Sequence, residues 1–218
     1  MHLLDPLQKD YRHLCEIFES IYKKNGIALL GAGASVTDKK FLSAELINLY
    51  EAKISKSFET NDIIQFVDIL QSTPGLRRSD FDSFVVEQLN KLSPTTAHKI
   101  FVTIPWKQII TTNFDTLIEE ASDFSVKEHN THYKLHVIRN KNQSSYIPSD
   151  DEISYIKLNG CKTDLSLYPL VFSTEDFNKQ SAYYKKVTSS YHQFSNDIDL
   201  FHSGIHFRIF SLKNYWKR

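Results

Sequence analysis

At 218 residues, 41% hydrophobic and 24% charged, the chain can bury one sizeable core, and a single domain over 1–218 is expected. Its 26 basic and 26 acidic residues cancel, so no global field draws it to nucleic acid or acidic lipid, and its two cysteines, Cys15 and Cys161, cannot complete a four-thiolate zinc site. No apolar run approaches the roughly 18 residues of a membrane span, so a cytoplasmic protein with no membrane partner is expected.

The first predicted element is a helix from Pro6 to Lys24. Leu7, Tyr11, Leu14, Ile17, Phe18, Ile21 and Tyr22 form an apolar stripe opposite Lys9, Arg12, Glu16 and Lys23, with Asp5 as start signal and "KNG" as stop. The stripe suits covering the sheet, the reading adopted, and also self-association into a homo-oligomer. Ile27 to Leu30 is short and uniformly apolar, the pattern of a central parallel strand covered on both faces. Helical spacing returns over Phe41 to Lys56, Asp62 to Leu70 and Ser79 to Leu92, and "TTAHKIF" is a short helix in which His98 caps or faces solvent. Residues 36–105 thus read as a mostly helical insertion.

"WKQIITTN", Trp106 to Asn113, predicts a second buried strand, and "DTLIEEA" the helix after it. His129 and His132 follow, and "YKLHVIRN" and "SYIKLNG" are strands on either side of the polar loop Lys141 to Asp151; His136 within the first of these reads as a packed core residue. "YPLVFST" leads into a helix from Glu175 to about Tyr191. Residues 194–218 form an atypical tail, with a candidate strand from Ile205 to Leu212 and a basic, aromatic end. Strands alternating with helices predict an α/β fold with a Rossmann-like parallel sheet.

Three strand-ending loops carry the candidate chemistry. In "GAGAS", Gly31 to Ser35, small residues let backbone N–H groups approach a bound anion, and the natural occupant is a pyrophosphate. The third glycine of the full dinucleotide fingerprint is replaced by Val36, so a plain tight turn is the competing reading; Ser35 either caps a helix or reaches a phosphate. "TTNFD" places Thr111, Thr112, Asn113 and Asp115 where open α/β sheets bind ligands, against the alternative of Asp115 as a helix N-cap with Asn113 serving the turn. "KLNG" ends a strand in Asn159 and Gly160, otherwise a hairpin signal.

In this order, with a helical insertion between the first two, these motifs resemble the sirtuin superfamily, and most closely its bacterial sirtuin-like branch of anti-phage defence systems. "STEDF", Ser173 to Phe177, is similar to a stretch that follows the third motif in that branch, and the likeness runs from about Ile27 to Tyr191. The resemblance implies an NAD-binding domain in which Gly31, Ala32, Gly33, Ala34 and Ser35 line the pyrophosphate site, with Thr112 and Gly160 beside them. Asn113 is implied to contact the nicotinamide-side ribose and the attacking water, and Asp115 the nicotinamide amide. Deacylating members carry a zinc module on two cysteine pairs, which two cysteines cannot build; no metal is therefore expected, and hydrolysis of NAD to nicotinamide and ADP-ribose is the implied reaction.

Two departures bear on that expectation. The family usually has histidine before the third-motif glycine, and here Asn159 stands there: an amide orients a ribose by hydrogen bonding but cannot take its proton. Turnover by Asn113, Asp115 and Asn159, a binding module without turnover, and a remnant acting through a partner all follow as alternatives, and a separate sensor or regulatory subunit is an implied partner. Sirtuin-like domains also continue with a further strand and a glycine-and-serine loop, whereas Ser203 and Gly204 precede the predicted last strand; a tail packed as an irregular edge and a C-terminally truncated sheet are the two expectations.

Overall fold

The structure is a computed structural model that describes residues 15, 18–19, 21–23, 26–35, 42–129, 133–139, 143, 149–165, 169–194 and 200–203. Its centre is a five-stranded sheet of β1 (Ile27–Leu30), β2 (Gln108–Thr111), β3 (Lys134–Ile138), β4 (Glu152–Lys157) and β5 (Leu200–Ser203) in the order β3-β4-β2-β1-β5. Every pairing is parallel. Among the described residues, four α-helices lie between β1 and β2: α1 (Ser43–Ile54), α2 (Ile63–Ser72), α3 (Arg78–Leu89) and α4 (Thr96–Phe101). Helix α5 (Leu117–His129) follows β2, and α6 (Thr174–Phe194) separates β4 from β5.

The pleat explains why so short an element as β1 sits in the middle. Ile27 joins Ile110, Ile156, Tyr183 and Val187 on the α6 side, while Ala28 and Leu30 join Ile109, Ile118, Ala121 and Tyr155 on the other. Alternate side chains are therefore buried on opposite faces, as an unbroken apolar run in a doubly covered sheet requires. A third cluster belongs to α1–α3, where Tyr50, Phe66 and Phe81 pack edge to face with centroids 5.0–6.2 Å apart and Leu117, Leu170 and Phe172 join them. Asp62 starts α2 by accepting from the backbone N–H groups of Ile64 and Gln65 at 2.8 and 3.1 Å.

Register positions the site. Leu30 pairs with Thr111, Thr111 with Lys157, and Leu30 with Ser203, so four strands end at one level and their loops leave the same edge of the sheet. The carboxyl edge of a parallel sheet is where such folds place ligands.

The structure departs from the sequence reading at β5 and at His136. A strand that the sequence did not predict, β5, occupies Leu200–Ser203, so Ser203 ends a strand; the open edge of β1 supplies the partner that local pattern cannot reveal, and the strand expected at 205–212 lies outside the described residues. Residues 204–218 lie outside the described residues, as do Val36, His132 and most of the loop 141–151. His136 is half-buried because β3 is the edge strand, not a packed core position. Most of the helix expected at 6–24 also lies outside the described residues; within it Ile21 is buried while Phe18 and Tyr22 are exposed.

Candidate functional site

After Leu30 the chain bends at the buried Gly31 into a 3-10 turn, Ala32–Ser35, closed by the Ala34 N–H on the Gly31 carbonyl at 2.9 Å. The helix expected after the glycine loop falls on residues outside the described ones, and the next described helix begins at Ser43. What holds it is the second loop. Asn113 Nδ2 donates to the Gly31 carbonyl at 2.8 Å and to Ser35 Oγ at 2.6 Å, and Ser35 Oγ donates in turn to Asp115 Oδ2. Asp115 Oδ1 accepts from Leu117 N, two residues on, at 3.0 Å, so the same carboxylate braces the start of α5 and lines the cleft, while Thr116, whose carbonyl accepts from Glu120 N, is the N-cap. The Asn113 N–H closes the turn on Thr111 Oγ1 at 3.0 Å.

The third loop joins from β4. Asn159 accepts on its carbonyl from Val171 N at 2.9 Å and on Oδ1 from the Tyr184 hydroxyl at 2.8 Å. Gly160 sits at φ +92°, and a β-carbon there would lie 3.0 Å from the Pro169 carbonyl oxygen, so this position demands glycine. The hairpin reading of Asn-Gly does not hold: β4 pairs only with parallel neighbours, and the bend turns the chain toward Val171 and Phe172. Lys162 N donates to the Phe114 carbonyl at 2.8 Å, fastening the third loop to the second.

Between these loops and α1–α3 lies a cleft of about 200 Å³. Ala32, Ser35, Thr112, Asn113, Asp115 and Asn159 form its polar side, and Leu46, Ile63, Val85, Phe114, Phe172 and Phe177 its apolar side. Six of the residues expected in the site thus come together. Gly31 contributes its carbonyl to the network behind them, Gly33 is exposed on the turn, Ala34 packs toward the sheet core, and Gly160 acts through its backbone.

Four further residues brace this arrangement. His98 is buried, not solvated: the Thr95 N–H donates to Nδ1 at 2.9 Å, which leaves the proton on Nε2, 2.6 Å from the Ala34 carbonyl. Thr95 and His98 form a reciprocal capping box at the start of α4, so of the two roles expected for His98 the structure shows the cap. Lys157 is fully buried and donates to the Asp115 carbonyl and to Glu119 Oε1, the latter at 3.1 Å; a lysine inside an apolar strand was its sequence signal. Burial raises the Glu119 carboxyl, and the Lys157 charge opposes that rise. Arg78 donates to Asp82 at 2.7 Å, to Asp176 at 3.0 Å and to the Leu170 carbonyl at 2.7 Å, and lies over the Phe172 ring. Asp176 also caps α6, accepting from Phe172 N and Ser173 N at 3.1 and 2.9 Å, so "STEDF" is a capping motif tied to the cleft wall. Burial alone would raise the Asp176 carboxyl, but bonds from Ser173 and the Arg78 charge hold it below its ordinary value. Tyr184 is the fourth, through Asn159.

Chemically, this is a cleft with neutral donors on one side, a single buried carboxylate at Asp115, and an apolar wall opposite. Such a site suits a ligand with a polar, hydroxyl-rich body and a planar or apolar end. Residues 107–208 match the family model described as a SIR2-like domain. No curated protein matches the chain.

Proposed function

As a member of the sirtuin-like superfamily, this chain carries a cleft that we propose binds NAD and hydrolyses it to nicotinamide and ADP-ribose. The observation that supports this reading is the Asn113 side chain, whose two donated bonds tie the Gly31 turn to the loop that presents Asp115. In the proposal the Gly31–Ser35 turn receives the diphosphate, while the Ser35 hydroxyl keeps its proton on Asp115 and so fixes the turn to the second loop. Asn113 keeps its Oδ1 for a ribose hydroxyl or the attacking water, and Asp115 faces the carboxamide.

The reaction breaks the bond between ribose and nicotinamide and adds water at the same carbon, releasing one proton to solvent. Positive charge grows on the sugar as that bond opens, so a buried carboxylate nearby and fixed donors supply electrostatic support. Asn159 cannot accept the ribose proton. Loss of a positioned base costs about 10²–10⁴ in rate, so turnover is expected to be slow. Incubation of the protein with NAD followed by product analysis tests the proposal. Nicotinamide and ADP-ribose are expected from the native chain and neither from Asn113→Ala; undiminished turnover by that variant would refute the site.

A second reading, binding of NAD or ADP-ribose without turnover, is favoured by one observation, the amide at position 159. Calorimetric binding with no nicotinamide released on long incubation would establish it over hydrolysis. A role in anti-phage defence, with a separate sensor subunit, rests on the "STEDF" likeness. It predicts that expression of the active chain depletes cellular NAD and that Asn113→Ala expression does not.

A further inference from the structure

We infer that Tyr184 is a positioning residue that holds Asn159 as a hydrogen-bond donor to the distal ribose of the bound nucleotide, an inference that rests on the proposed NAD site. Helix α6 brings Tyr184 to the third loop, where its hydroxyl donates to Asn159 Oδ1 at 2.8 Å. With Oδ1 engaged, the Nδ2 hydrogens are the polar group that Asn159 offers to the cleft it lines, and the side chain makes no other hydrogen bond among the described residues. The phenol ring is itself held, 6.1 Å from Phe177 and 6.5 Å from Tyr183 between centroids. Burial pushes the Tyr184 hydroxyl above its ordinary value, so it stays a donor at every working pH.

The backbone is fixed there by the Val171 N–H on the Asn159 carbonyl and by the turn at Gly160, whose positive φ suits glycine. The amide therefore has a set position and a set orientation. Sheet order gives its target. β1 carries the diphosphate turn, β2 the Asn113 loop and β4 the Asn159 loop, in adjacent parallel strands. Two strand spacings, roughly 10 Å, separate the end of β1 from the end of β4, which puts Asn159 beyond the diphosphate, at the second sugar.

ADP and ADP-ribose separate this idea from a purely structural role, because only the second carries the distal ribose. Calorimetry on the whole chain is expected to show Tyr184→Phe and Asn159→Ala each weakening ADP-ribose by about three- to tenfold, the value of one hydrogen bond. The double variant should bind no worse than the weaker single variant, and ADP should bind all four proteins alike. Asn159→Asp, which keeps the acceptor for Tyr184 and removes the donor, should lose ADP-ribose affinity as Asn159→Ala does. Additive losses, equal losses for ADP and ADP-ribose, or native affinity in Asn159→Asp would overturn the inference and leave the NAD site standing. Failure of the native chain to bind either nucleotide would overturn both.

Discussion

Asn113 donates to Gly31 and Ser35 from one amide, so its side chain is both scaffold and candidate catalytic group. Asn113→Asp removes both donors and sets a second carboxylate beside Ser35 and Asp115. It is expected to lower the urea unfolding free energy by about 1–3 kcal/mol besides abolishing turnover. His98 acts on the same turn from behind. His98→Ala leaves the Ala34 carbonyl unpaired and should cost about 1–3 kcal/mol in the same measurement. Gly160→Ala forces a side chain into a left-handed conformation, about 1–2 kcal/mol, and against the Pro169 carbonyl, so a larger loss is expected there. At this scale the sequence placed Ser35, Asn113, Asp115 and Asn159 in loops that follow strands, and the structure brings those loops to one cleft. The sequence could not show what they touch. Lys157 and Tyr184 escaped notice because their partners lie 42 and 25 residues away.

Arg78 makes α3 and the start of α6 one unit, and that unit carries Phe172 and Phe177 of the cleft wall. Arg78→Ala leaves Asp82 and Asp176 facing each other without a counter-charge, both little exposed. Breaking such a pair costs about 3–5 kcal/mol, read as a fall in unfolding free energy. The Asp176 carboxyl titrates below its ordinary value of 3.8 in the folded chain, so the unfolded chain binds its proton first as pH falls. The resulting stability is present above that pH and disappears as pH drops through the folded value. Asp176→Asn should therefore flatten the acid limb of the stability profile, and an unchanged limb would contradict the assignment. Elements were largely legible where periodicity is sustained, as in α1–α3 and α6. β5 was not, because a four-residue strand is specified by the open edge it joins rather than by its own letters.

On the scale of the whole molecule, in-register parallel pairing brings three loops to one edge, and the α1–α3 cluster faces them across the cleft. A ligand that bridges the two sides stabilises the folded state by mass action. ADP-ribose at a hundred times its Kd adds about 2.7 kcal/mol. For a chain of this length that amounts to a rise of about 5–10 °C in Tm, to be measured by thermal unfolding and to be absent in Asn113→Ala. Alternating apolar and helical patterns, with small or polar residues where strands end, were enough to determine an α/β sheet and the order of its loops, because periodicity and turn chemistry are local properties. Only the tertiary structure decided that Asn113 meets Gly31 and Ser35, 82 and 78 residues away, that His98 is buried, and that Ser203 ends a strand. Those are contacts between distant segments, set by register and packing across the sheet, and no window of neighbouring residues contains them.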